Sequence, residues 1–496
     1  MLSLITFLPL IAAVLIALVP LKRGAAEALT LLATVAVGAC TLFLWSGFDG
    51  AVAGLQEATK LDWFTLPMGA NETLVSYHLG VDGISILLVV LTGILMPIVV
   101  LCARGHIDKR FREFFCWLLV METGMLGVFL SMDLILFYFF WEVSLVPLYF
   151  LVGIWGGEDR LYATLKFFLY TVAGSLIMLV GVIALVYMTG TSDVPTLLRA
   201  TGDLTTTQQH WVFATFAIAF AIKVPILPFH TWLADAHTQA PTSGSVLLAG
   251  VLLKMGTYGL LRFGIQLFPA AAVSFSPWFM ALGAIGIVYG AFLAMAQNDL
   301  KRLVACSSVS HLGFVVLGLF ALNQAGVRGG VLQMINHGLS TGLLFLLVGM
   351  IYERRHSRML DDFGGVAATM PIFAIFFVFT VLSSAGMPGL NGFIGEYMIL
   401  AGTFQADWLW AAIGVTGVIF GAVYLLMATR RLLFGPIVHE ENKSLGDLKA
   451  REIGLLVPLV VLCVWIGVQP NFFLEKTAGT LDALDARIEA VKAASN

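Results

Sequence analysis

Six ionisable side chains lie deep inside apolar stretches of this chain: Glu142, Lys223, Lys254, His311, His337 and Glu396. In hydrocarbon an unpaired charge costs at least about 2.5–3.5 kcal/mol, so residues of this kind mark functional paths by default. Two carboxylates, two lysines and two histidines can take up, hold and release a proton, and histidine does so near neutral pH. A hard cation such as sodium would be met chiefly by oxygen ligands, whereas four of these six groups carry nitrogen. The set therefore points to a proton relay and to no metal site. A structural use of each residue stays open. Glu142 and Lys223 are natural partners and can form a plain buried ion pair. Each histidine can be a hydrogen-bonded core residue or, as a third alternative, a haem ligand. Glu396 can cap a broken helix.

The elements that position these groups are interrupted apolar helices. FAIKVPILPFHTWLADAHTQAPTSGSVLLAGVLLKMGTYGLLRF (220–263) places Pro225 and Pro228 just after Lys223 and carries Lys254 in the following span. A proline inside a span removes a backbone donor and breaks the helix. Such a break survives in a membrane only where protein or a water-filled cavity satisfies the freed groups. SSAGMPGLNGFIGE makes the second interruption, with Pro388 among Gly386, Gly389, Asn391 and Gly392, and Glu396 lies just beyond it. Five accessory candidates surround the main set. Glu122 sits in span 4, and Lys166 lies near the start of span 6, where a lysine can also snorkel to the interface. His230, Asp235 and His237 fall towards the cytoplasmic end of span 7, where they guard proton access or simply cap and pack.

Composition sets the class. Of 496 residues, 59% are hydrophobic and only 11% charged, against about 25% charged in soluble proteins. The apolar runs of about 20 residues suit helices rather than barrel strands. The expected fold is an all-α polytopic membrane protein of about 14 transmembrane helices, with two inverted five-helix repeats in which helices 7 and 12 are broken. Residues 1–112 hold helices 1–3 and a polar loop at 47–80. Residues 113–263 form the first repeat, 277–431 the second, and 453–496 a last helix with an amphipathic tail. The two breaks occupy matching places in groups of odd helix number, which forces the groups to run in opposite directions, as in many ion-coupled transporters. Of the 27 lysines and arginines, seventeen fall in loops on one side, seven on the other, and Lys166, Lys223 and Lys254 inside spans. The richer side is cytoplasmic by the positive-inside rule. Five scattered cysteines and no glycine-rich nucleotide fingerprint leave no redox or nucleotide chemistry within the chain. No basic block exists to bind nucleic acid.

KVPILPFHTWLADAHTQAPTSGSVLLAGVLLKMGTYGLLR, FYFFWEVSLVPLYFLVGIWGG, NDLKRLVACSSVSHLGFV, INHGLSTGLLFLLVGMIYER and SSAGMPGLNGFIGEYMIL together resemble the antiporter-like subunits of respiratory complex I (NADH-quinone oxidoreductase) and of Mrp-type cation/proton antiporters, over about residues 80–435. Glu396 resembles the M type (chain 4 type), since L- and N-type subunits usually place a lysine on broken span 12. The resemblance implies that Glu142 and Lys223 form an input pair, Lys254 the central relay, His311 and His337 the middle of the axis and Glu396 its terminal group. It implies no cofactor on this chain, with NADH, FMN, iron–sulfur clusters and quinone in partner subunits. L- and N-type subunits are the implied neighbours and a bacterial inner membrane the implied location, ahead of the mitochondrial one.

Three other classes compete. A sodium/proton antiporter subunit of Mrp type could use the same axis. A lipid-diphosphate enzyme would need acidic motifs for Mg²⁺, and Asp361–Asp362 is the only adjacent aspartate pair. A pure membrane anchor would tolerate neutral residues along the axis.

Overall fold

The computed structural model describes residues 1–68 and 71–495. Its helices are α1 (Leu2–Leu18), α2 (Arg23–Gly47), α3 (Ile86–Ala103), α4 (Phe111–Leu130), α5 (Leu134–Trp155), α6 (Arg160–Thr189), α7 (Thr206–Lys223), α8 (Thr231–Gln239) and α9 (Thr242–Ile265). They continue with α10 (Pro269–Met295), α11 (Leu300–Phe320), α12 (Gln324–Arg355), α13 (Pro371–Ser384), α14 (Asn391–Ala406), α15 (Trp408–Leu433), α16 (Ala450–Val468) and α17 (Ala478–Ser495). Among the described residues, eleven helices are long and apolar enough to cross a membrane. α1 and the interrupted pairs α7–α8 and α13–α14 add three crossings, so the expected fourteen are present.

Polar side chains at the turns punctuate the apolar runs. Asp133, Asp299, Asn323 and Asp407 each accept from backbone N–H groups in the first turn of α5, α11, α12 and α15, which satisfies donors that a helix start leaves bare. Thr205 and Gln208 form a reciprocal capping box on α7. Contacts at the two ends follow the alternation that the charge count demands. Arg354–Glu452, Arg431–Asp361 and His106–Glu353 join elements at the end richer in lysine and arginine. Arg328–Asp482 and the Lys492 bond to the Leu322 carbonyl join α17 to the opposite side.

Both repeats pack in the same order. α4 lies on α5 as α10 lies on α11, and α6 runs along the broken α7–α8 as α12 runs along the broken α13–α14. α9, α11 and α12 are wholly enclosed by other helices, whereas α2, α15 and α16 keep wide faces for lipid.

The 47–80 segment corrects the expectation of a polar loop. It folds into an antiparallel hairpin, β1 (Gln56–Met68) and β2 (Asn71–Val81). Thr73 and Val75 are buried between exposed Glu72 and Leu74, the period-2 pattern of a half-buried strand, and from Ser76 to Val81 the strand is covered on both faces apart from Tyr77. Asp193 pins the hairpin to the loop after α6, accepting from His78 at 2.7 Å and Lys60 at 2.8 Å. Burial pushes that carboxyl up, but the bonds from His78, Lys60 and Thr196 outweigh it and hold it well below the usual carboxylate range. The C-terminal tail is helical as expected, with Leu481, Leu484 and Ile488 buried against the bundle.

Candidate functional site

Each break is stitched by side chains that replace the missing ladder. At the first, the buried Trp232 indole donates to the Ile222 carbonyl at 2.9 Å. At the second, Asn336 donates to the Asn391 carbonyl at 2.8 Å and Ser383 to the Asn391 side chain at 2.6 Å. Gly386 takes φ +75° there, and a methyl group on it would stand 2.8 Å from a Glu396 oxygen. Only glycine meets both demands cheaply.

The six expected relay residues come from six helices, and four of them form a string. Lys254 is fully buried in the middle of α9, where the helix widens into π-helical turns at Leu248–Leu252 and Leu260–Ile265. Such bulges often accompany function. The Lys254 ammonium donates to the Ala249 carbonyl, exposed by the first bulge, and to His337 Nδ1 at 2.6 Å. With Nδ1 accepting, the His337 proton sits on Nε2, which has no protein partner. The His337 and His311 rings lie 5.7 Å apart between centroids. His311 Nδ1 then meets Glu396 Oε1 at 3.4 Å. Tyr424 stands 3.4 Å from His311 Nε2, and Gln333 donates to Glu396 at 3.4 Å. Lys254, His337, His311 and Glu396 thus run laterally through α9, α12, α11 and α14.

Glu142 and Lys223 depart from the expected closed ion pair. Ser175 on α6 donates to Glu142, while the Lys223 ammonium lies 5.3 Å from the centre of the Trp141 ring. Among the described residues no ion pair joins the two, although Glu142 still acts on Lys223 through space. The physical reason is local competition: a hydroxyl on the neighbouring helix holds the carboxylate, and an indole face holds the ammonium. Lys223 ends α7 at the break, and its Cβ comes within 3.1 Å of a methyl placed on Gly256, so its helix touches the one that carries Lys254.

The accessory candidates separate into two groups. Lys166 neither snorkels nor joins the string: it pairs with Asp235 at 2.8 Å, and Asp235 also binds Arg302 at 3.0 Å. His230 lies edge-on to Tyr289, and a cavity of about 190 Å³ opens between Lys166, His230, Asp235 and Arg302. His237 is fully buried, stacked on Phe345 at 4.6 Å, with both ring nitrogens lacking a protein partner. Glu122 is also fully buried with both oxygens unpartnered, apart from every other expected group. Among the described residues, no three His, Cys, Asp or Glu side chains converge as a metal site.

Sequence reasoning missed the partners Ser175, Gln333 and Tyr424, whose types are unremarkable and whose positions only the packing reveals. It also counted both Arg262 and Lys301 among the loop charges. Arg262 is buried and bidentate to Asp82 at 2.7 and 2.5 Å. Lys301 is buried and donates to the Ala240 carbonyl. The Asp-Gly-Ile-Ser turn at Asp82, shaped to cap α3, was the available signal for the first.

Two matching broken helices around a lateral string of titratable groups define an antiporter-like membrane subunit. The family profile described as NADH:quinone oxidoreductase/Mrp antiporter, TM matches residues 131–421, and that of NADH-ubiquinone oxidoreductase chain 4, amino terminus, matches 28–132. NADH-quinone oxidoreductase subunit M of Rhodobacter capsulatus is 44% identical over 489 residues, covering 95% of this chain and 93% of its own. A chain in the structure of respiratory complex I from Thermus thermophilus with bound NADH superposes with a TM-score of 0.87 at 32% identity, covering 98% of this chain and 100% of that one. A chain of the Mrp complex from Dietzia sp. DQ12-45-1b superposes at 0.85 over 99% of this chain and 98% of its own, at 21% identity, which establishes a common fold alone. The chain belongs to the subunit M (chain 4) family of NADH-quinone oxidoreductase.

Proposed function

We propose that this chain moves protons along Lys254, His337, His311 and Glu396, supplied from Glu142 and Lys223. It is a proton-translocating membrane subunit of NADH-quinone oxidoreductase, with the driving redox reaction in other subunits. The observation that carries the relay is the string itself: Lys254 at 2.6 Å from His337, and His311 at 3.4 Å from Glu396, with the two rings adjacent. Glu396 lies on α14, which leads to the non-cytoplasmic side, so it is the group that releases the proton there. NADH, FMN, iron–sulfur clusters and quinone belong to partner subunits in this reading, the lateral neighbours are L- and N-type subunits, and the host membrane is a bacterial inner membrane. An Mrp-type antiporter role has less support, because the N-terminal profile and the 44% identical relative both belong to the oxidoreductase.

The test is Lys254→Arg in the assembled complex. A relaying lysine must be neutral for part of the cycle, and arginine never is. NADH-driven proton uptake by inside-out vesicles should fall at least about tenfold, equivalent to ~1.4 kcal/mol on the limiting step. Uptake at the parental rate would remove Lys254 from the path.

A further inference from the structure

α1 and α4 enclose a cavity of about 670 Å³ on the outer surface of the bundle, away from the relay. Its floor is recessed because Ala13 and Ala17 stand where larger side chains would fill it. Trp117 makes one wall and is fixed by stacking on Phe150 at 4.5 Å. The α1 lining runs from Leu10 to Ala17, about 10 Å along the axis at ~1.5 Å per residue. That is most of one leaflet of a hydrocarbon core about 30 Å thick. The groove is therefore deep enough for acyl chains from one side and too short to seat a transbilayer helix.

Its two ends differ sharply. The membrane end is apolar, and Ile11 and Val14 on the same helix are about half exposed, as a lipid-facing surface should be. The cytoplasmic end carries Arg110 and Arg112 beside Asp108 and Glu113. The segments framing that mouth, residues 19–27 and 104–113, hold six lysines and arginines against three carboxylates. Arg110 is tied to Glu113 and Asp108 to Arg23, whereas Arg112 is exposed and, among the described residues, has no ion pair. With both carboxylates paired, a free arginine at the cytoplasmic mouth of a groove between transmembrane helices suits an anionic headgroup.

We propose that this groove binds an anionic glycerophospholipid of the cytoplasmic leaflet, with its acyl chains against Val14, Ala17 and Trp117 and its phosphate at Arg112. The test uses the whole complex in lipid nanodiscs containing either photoactivatable phosphatidylglycerol or photoactivatable phosphatidylcholine with the same diazirine-bearing chains. Labelled peptides are mapped by mass spectrometry. The phosphatidylglycerol probe should label α1 and α4 at least about fivefold more than the phosphatidylcholine probe, the size of a ~1 kcal/mol preference for one basic residue near the surface. Arg112→Gln should reduce that labelling to the phosphatidylcholine level. Ala17→Trp, a change at an exposed position, should abolish labelling by both probes while NADH oxidation stays unchanged. Equal labelling of the parent groove by both probes would overturn the proposal. So would phosphatidylglycerol labelling that survives Ala17→Trp, or a groove that neither probe labels and whose Ala17→Cys variant cross-links to a sister polypeptide.

Discussion

The two halves of the bundle share a fold plan but hold their titratable groups differently. In the second half Glu396, His311 and His337 touch one another in sequence and reach across to Lys254. In the first half the two input groups are each held by an uncharged neighbour, Glu142 by Ser175 and Lys223 by the Trp141 ring. The difference has a physical cause. A buried ion pair repays its desolvation only with good geometry and further hydrogen bonds, and an aromatic face or a hydroxyl can satisfy each partner alone. The second half is a connected conductor and the first a parted switch. The break after Lys223 supplies a place for that switch to move, because backbone there is not locked into a helical ladder.

The largest effect should come from cutting the connected half at its end. Glu396→Gln keeps the shape of the side chain and its bond from Gln333 in reach but cannot ionise. Proton uptake should fall about tenfold or more, equivalent to ~1.4 kcal/mol, with assembly intact as judged by NADH oxidation. Full uptake in that variant would show that the string is packing and that the first half alone sets the path.

Why was one half more legible than the other? Residue type and depth sufficed to select Lys254, His311, His337 and Glu396, because charged groups inside apolar spans are rare and prolines and glycines mark the breaks. The fourteen crossings followed from the same contrast of apolar run and polar turn. Contact was another matter. Sequence suggested that Glu142 and Lys223 attract, yet nothing in it shows that Ser175 and Trp141 arrive first. The hairpin was missed because polar residues and glycines break this stretch into short apolar pieces, and it looks like a loop until Val75, Leu79 and Val81 are seen to be buried together. The π-helical widening of α9, which frees the Ala249 carbonyl for Lys254, has no marker in its apolar residues.

An intermediate effect should come from the switch. Glu142→Gln removes the charge that acts on Lys223 through space, whereas Glu142→Asp retains it one methylene further back. With that charge gone Lys223 loses its coupling to α5, so the glutamine variant should lose most NADH-driven uptake and the aspartate variant should keep part of it. Both are measured in membranes at matched expression. If the glutamine variant pumps as well as the aspartate one, the parted pair is structural and the contrast between the halves carries no mechanism.

The smallest effects sharpen the contrast, because they alter the neutral neighbours and leave every charge in place. Tyr424→Phe removes the hydroxyl 3.4 Å from His311 Nε2. A long bond of this kind is worth about 1 kcal/mol, and the string from Lys254 to Glu396 does not pass through it. Uptake should fall no more than about fivefold, the rate equivalent of that ~1 kcal/mol. Ser175→Ala removes the hydroxyl that donates to Glu142. A bond to a charged group is worth about 1.5–3 kcal/mol, and its loss frees the carboxylate to turn towards Lys223. Infrared difference spectra with isotope-edited carboxylates should then show a shifted Glu142 band in Ser175→Ala and an unshifted Glu396 band in Tyr424→Phe. The opposite pattern, a rigid Glu142 and a displaced Glu396, would place the movable element in the second half and reverse the assignment of switch and conductor.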